Sequence, residues 1–210
     1  GLSWLYSFIR WRGLEIPSLW MDGLGLIVSS VGLMGIYASA KIYQVPARPS
    51  WNNLRTPIAF FSTGFLLGPL AVLSLFAWHS QQTSISLMEN GGKMISLSLV
   101  GIVLLAGLSQ LGSILIKLFY ILSREEPELR GSAKLLTQWF RTPFLIRIGA
   151  LLLTLVGTPL ALVGLFQPQA GSMTLWIGTI FILALMSELL GRYLFFVTVV
   201  PKNRPEGYFA

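Results

Sequence analysis

Five long apolar runs constrain this chain more than any other feature of it: residues 24–43, 58–78, 94–122, 144–166 and 173–200. Each reaches the roughly 20 residues that a helix needs to cross a hydrocarbon layer about 30 Å thick. The third is longer than that requirement and implies tilt or an extension into water. Composition agrees, with 54% hydrophobic residues, 11% charged residues and a mean hydropathy of +0.71. A soluble protein of this length needs far more polar surface. The predicted fold is all-α, a polytopic transmembrane helix bundle of five complete spans. Residues 1–210 form a single membrane domain. The first ten residues, GLSWLYSFIR, are apolar but too short to cross, and they read as an N-terminal stub of an earlier span.

Charge sets the expected orientation. Of the fifteen Lys and Arg, only Arg10, Arg12 and Lys93 fall on one side of this topology, and the others lie at or towards the opposite side. The positive-inside rule then places the loop at 44–56, the connection at 123–142 and the C-terminus in the cytoplasm of a bacterial or archaeal cell. The net charge of +7 is mostly this bias, joined by contact with anionic lipid. No aromatic and basic reading surface accompanies it, so nucleic acid is not an expected partner.

Small residues one turn apart, Gly25 and Ser29, Gly35 and Ser39, Ser109 and Ser113, mark sites where helix backbones can approach closely. Pro69 and Pro159 fall inside the second and fourth spans, where each removes a backbone donor. The triplet Arg-Thr-Pro at 55–57 and 141–143 reads as a helix start, with Thr as N-cap and Pro as first helical residue. The run Glu125, Glu126 and Glu128 reads as part of a solvated loop.

Cys is absent from the sequence and His occurs once, at His79. An iron–sulfur cluster held by thiolates and a bis-histidine haem are therefore excluded within it, and no metal site is expected. No nucleophile and base pair and no phosphate-cradling glycine loop are present, so no catalytic residues are expected either. His79 sits beside Trp78 at the outer end of the second span, an interfacial position from which an imidazole can hydrogen-bond a quinone. Glu188 and Arg192 interrupt the last apolar run four residues apart. A charge at mid-bilayer costs about 2.5 to 3.5 kcal/mol on insertion scales, so a buried partner is expected. Glu188 should face the bundle interior, paired with Arg192 or with a donor on another helix.

Two segments carry a family likeness. KIYQVPARPSWNNLRTPIAFFSTGFLLGPL, at 41–70, has a Lys and an Ile-Tyr pair closing one span, a Pro and Trp in a short loop, and Thr-Pro-x-x-Phe-Phe opening the next. SELLGRYLFFVTVVP, at 187–201, has Glu-x-x-Gly-Arg followed by aromatics. Together they resemble the membrane-anchor subunit of dimethyl sulfoxide reductase-type molybdenum enzymes, an eight-span family, so about three spans are expected upstream of Gly1. The resemblance implies an anchor that takes electrons from menaquinol and delivers them to an iron–sulfur subunit, which serves a molybdopterin catalytic subunit. Menaquinone is then the redox group this protein handles, the metals belonging to the partners. It makes His79, Glu188, Arg192, Arg55 and Trp51 candidates for quinone binding or partner docking. The family's Leu-His-Leu-Gly motif, tied to quinol binding, does not occur here. Either that site lies upstream of Gly1 or quinol is not handled in the family's manner. The alternative function class is a non-redox polytopic protein such as a transporter, for which an intramembrane Glu and Arg also suit.

Overall fold

The computed structural model describes residues 18–48, 50–83, 92–123, 127–165 and 171–200. The N-terminal stub, Glu125 and Glu126, and the C-terminal tail lie outside the described residues. Among those described there is no strand. Five long helices match the five apolar runs: α1 (Ser18–Tyr43), α2 (Arg55–Thr83), α3 (Gly92–Ser123), α5 (Arg141–Leu165) and α6 (Gly171–Val197). All five are long and apolar enough to cross a membrane. The polar connection between α3 and α5 folds into a short helix, α4 (Pro127–Lys134), and a π-helical turn (Leu135–Trp139). It is more than a solvated loop, because Leu129, Ala133 and Leu136 are buried against the bundle.

Helices α2, α3, α5 and α6 form a closed ring in which each packs on the next and α6 returns to α2, while α1 packs from outside against α2. Because the connections are short, neighbours in the ring are antiparallel, the up-down-up-down arrangement of a four-helix bundle. One end of the ring therefore gathers the start of α2, the end of α3, the start of α5 and the end of α6.

The distribution of polarity is inverted relative to a water-soluble bundle. Leu105, Phe119 and Leu175 point outwards, while Thr154, Ser187, Gln110 and Glu188 are buried. Lipid solvates the outer apolar side chains, so helix association rests on close packing and on hydrogen bonds between helices. Such bonds between helices include those from Ser187 Oγ to the Arg147 carbonyl (3.1 Å) and from Thr174 Oγ1 to the Ala77 carbonyl (3.1 Å). Thr154 and Thr158 instead satisfy themselves on the carbonyls one turn back, at 2.8 and 2.6 Å.

Among the described residues, the glycine that permits the tightest approach is Gly107, where a Cβ would stand 2.5 Å from Leu155 Cδ2. The small pairs of α1 do something different: Ser29 and Ser39 are exposed and bond back to the Gly25 and Gly35 carbonyls, and open space surrounds Gly35. Spacing alone cannot say which face of a helix meets a neighbour. The helix caps also differ from expectation. Asn53 Oδ1 accepts the Arg55 backbone N–H at 3.0 Å, and Thr56 Oγ1 turns back to donate to the Trp51 carbonyl at 2.6 Å. The π-helical turn runs directly into α5, leaving no loop for Thr142 to cap.

Candidate functional site

The gathered end of the ring encloses a cavity of about 90 Å³. Its charged walls are Arg55 from α2, Lys117 from α3, Arg147 from α5, and Glu188 and Arg192 from α6, joined by Thr63 and Gln110. At about 1.5 Å per residue, Lys117, Arg147 and Arg192 all lie within ~10 Å of their helix ends, and Glu188 and Thr63 about one turn deeper.

Glu188 is 5% exposed. Its partner is on another helix: Thr63 Oγ1 lies 2.6 Å from Glu188 Oε2, and Arg192 Nη2 donates to the same hydroxyl at 3.4 Å. Thr63 thus stands between the carboxylate and the guanidinium that the sequence places four residues apart. No ion pair within 4.0 Å joins Glu188 to Arg192 or Arg147, and Glu188 Oε1 is buried without a hydrogen-bond partner. Arg192 places its guanidinium carbon over the Phe60 ring, 3.6 Å from the centroid, where the π-face substitutes for part of its lost hydration. Arg147 reaches the same place from α5 by nesting on Gly191, whose missing side chain makes room: a Cβ there would be 2.8 Å from the guanidinium carbon. Arg55 donates to the Ile116 carbonyl at 3.1 Å and stacks on Tyr120.

Trp51 stands behind this cavity. It is 4% exposed, stacks on Phe195 with centroids 4.8 Å apart and planes 5° from parallel, and donates Nε1–H to the Phe195 carbonyl at 3.0 Å. Tyr43, Phe60 and Phe196 complete the aromatic cluster, and Arg48 covers the outer face of the indole. The loop at 44–54 is thereby pinned to the last turn of α6. His79 is exposed near the end of α2, about 24 Å along the helix axis from Thr63 at ~1.5 Å per residue. The structure therefore brings Arg55, Glu188 and Arg192 together, sets Trp51 against them and leaves His79 at the opposite end.

Lys117, Arg147, Gln110 and Thr63 were not singled out from sequence as site residues. A signal existed for the first two, which are charged residues inside apolar runs, as Glu188 and Arg192 are; topology absorbed them as positive charges on one side. Nothing local distinguished Thr63 or Gln110.

A second concavity, an open groove of about 560 Å³, runs between α2 and α3 on the outside of the ring. Phe61, Phe65, Ile102 and Leu105 make it apolar, and Ser62 and Ser109 are its only hydroxyls among the described residues, 3.4 Å apart. Ser62 and Ser109 line the groove while their neighbours Thr63 and Gln110 line the cavity, so one layer of helix separates the two.

Many of the residues converging on this end belong to the two segments at 41–70 and 187–201, joined by Gln110 and Lys117 of α3 and Arg147 of α5, and comparison with known proteins bears on them. A family model described as DMSO reductase anchor subunit (DmsC) matches residues 1–197. The YnfH subunit of an anaerobic dimethyl sulfoxide reductase of Escherichia coli K12 is 29% identical over 75 residues, which is 36% of the present sequence and 25% of that protein. The C subunit of the anaerobic dimethyl sulfoxide reductase of the same organism is 25% identical over 71 residues, 33% of the present sequence and 23% of that protein. The matched stretch spans about a quarter of each curated relative. No solved structure matches significantly. With a family model covering nearly its whole length and five apolar helices arranged as a bundle, this multi-pass membrane protein belongs to the DmsC family of DMSO reductase anchor subunits.

Proposed function

We propose that this protein is the membrane anchor and quinol-oxidising subunit of a molybdopterin and iron–sulfur reductase, seated in a bacterial or archaeal cytoplasmic membrane with the cavity end and the C-terminus cytoplasmic. Its partners are an iron–sulfur subunit, which receives electrons drawn from menaquinol, and a molybdopterin catalytic subunit. The observation that carries the reading is the convergence of two segments about 140 residues apart. Tyr43, Trp51, Phe60 and Thr63 meet Glu188, Arg192 and Phe195 in one built cluster at one end of the bundle.

The two concavities differ in their fit to a two-ring quinone. The cavity, at about 90 Å³, lies well below the ~300–1,000 Å³ of small-molecule sites and is too small. The groove lies within the ~300–1,000 Å³ of small-molecule sites, with apolar walls and two hydroxyls. Menaquinol, when bound, supplies two electrons and two protons. In this reading Phe61, Phe65, Ile102 and Leu105 hold the ring system against water, and Ser62 and Ser109 orient it. No titratable group lines the groove among the described residues, so Glu188, across the α2 wall, is the nearest proton-accepting group that this arrangement offers.

Copurification with quinol kinetics tests the proposal in two parts. The solubilised protein should bring with it a molybdenum-containing subunit and an iron–sulfur subunit; recovery of neither overturns the anchor reading. Ser109→Phe should fill the groove and raise KM for a soluble menaquinol analogue at least tenfold while leaving copurification intact. Unchanged kinetics would remove the quinol from the groove.

A further inference from the structure

The cavity carries four cations and one carboxylate, and its charges are not balanced within the described residues. Arg55 and Arg192 are partly satisfied by carbonyl, hydroxyl and ring contacts. The side chains of Lys117 and Arg147 make no hydrogen bond or ion pair among the described residues, and Arg147 Nε is buried with no partner. Gln110, 3% exposed, also lines the cavity with both side-chain polar atoms unpartnered. Partly buried cations that outnumber their counter-charge are costly, and in a membrane bundle such groups pair with one another or mark a ligand. Four cations repel one another, so pairing among themselves is no remedy.

We propose that this cavity binds a phosphate group, presented by an anionic phospholipid or free in solution, between Arg55, Lys117, Arg147 and Arg192. Three features select this chemistry. The net charge of the walls calls for an anion. Planar guanidinium forks and an ammonium match the several acceptor oxygens of a phosphate, which a carboxylate with two oxygens would satisfy less completely. The cavity of about 90 Å³ has room for a compact tetrahedral group and for no large ligand. Its place near one end of the bundle, between transmembrane helices, suits a basic pocket for a lipid head group. Gln110 Nε2 at the deep side offers a further donor. The Glu188 carboxylate, held on Thr63, tempers the affinity by opposing the anion. The site shares Glu188 with the proposed quinol reading, but binding of the anion requires neither quinol nor a partner subunit.

The test uses the full protein purified in phosphate-free buffer. Thermal unfolding is followed with dioleoylphosphatidylglycerol, with dioleoylphosphatidylcholine, and with inorganic phosphate or chloride at matched ionic strength, and bound phosphorus is counted per protein molecule. Stabilisation by phosphatidylglycerol but not by inorganic phosphate assigns a lipid source; stabilisation by inorganic phosphate assigns the free anion. In Arg147→Gln the apparent affinity should fall at least tenfold, with no loss of stability in the phosphate-free state, because an uncompensated charge has been removed. In Glu188→Gln, which keeps an acceptor for Thr63, affinity should rise severalfold. Chloride acting as well as phosphate, no stabilisation by either phosphate source, or an undiminished response in Arg147→Gln would each overturn the site.

Discussion

Replacing Glu188 by Leu removes the only carboxylate among the described residues around four cations, and its cost can be built from the geometry. The carboxylate accepts one short hydrogen bond, from Thr63 at 2.6 Å. A bond to a charged group contributes about 1.5 to 3 kcal/mol. Arg147 and Arg192 lie beyond ion-pair distance, so each attraction is bounded by the roughly 4 kcal/mol of two unit charges 4 Å apart at an effective dielectric of about 20. Part of that is already offset by the desolvation of Glu188 itself. The net expectation is the ~3–5 kcal/mol typical of leaving a buried charge cluster without one member. At about 2–4 °C per kcal/mol for a protein of this size, the unfolding midpoint in detergent should fall by roughly 6 to 20 °C. Glu188→Gln, which can still accept from Thr63, should lose less than Glu188→Leu by about the contribution of a neutral hydrogen bond, ~0.5–1.5 kcal/mol. Adding Arg147→Met to Glu188→Leu replaces a cation by a neutral side chain and should recover at least half of the loss. If the double variant is as unstable as Glu188→Leu alone, charge compensation is not why the carboxylate is there.

Two other outcomes follow from the same geometry. Trp51→Ala should cost about 3–5 kcal/mol and release the loop at 44–54 to proteolysis, whereas Trp51→Phe, which keeps a ring on Phe195 and loses the Nε1–H bond and part of the indole packing, should cost less, about 1–2 kcal/mol; equal losses would refute the stacked arrangement. Single cysteines at Asn52, exposed in the loop at the cavity end, and at Lys93, in the first turn of α3 at the other end, should differ in reaction with an impermeant thiol reagent on intact cells. Labelling only at Lys93 is expected from the charge bias, and labelling only at Asn52 would invert the topology.

The sequence by itself determined the five helices, because the length and apolarity of a membrane span are properties of one contiguous segment. The observed helices contain almost all of each apolar run, and the alternation of their directions follows from their order along the sequence alone. It also determined that Arg55, Lys117, Arg147 and Arg192 share one end of the bundle, since each stands near the same side of an up-down array. Only the tertiary structure decided which faces meet. Glu188 and Arg192 share a helix face, yet their link runs through Thr63, 125 residues away from Glu188 in the sequence, because α6 is adjacent to α2 in the ring. Gly191 is one glycine among twenty-one until α5 brings Arg147 against it. Trp51 reads in sequence as a loop residue that is a candidate for quinone binding or partner docking, and becomes buried only because the loop at 44–54 folds back onto Phe195. The solvent explains the difference: lipid rewards apolar residues on every outward face, so hydropathy marks where a helix is but carries no signal for which side of it faces a neighbour.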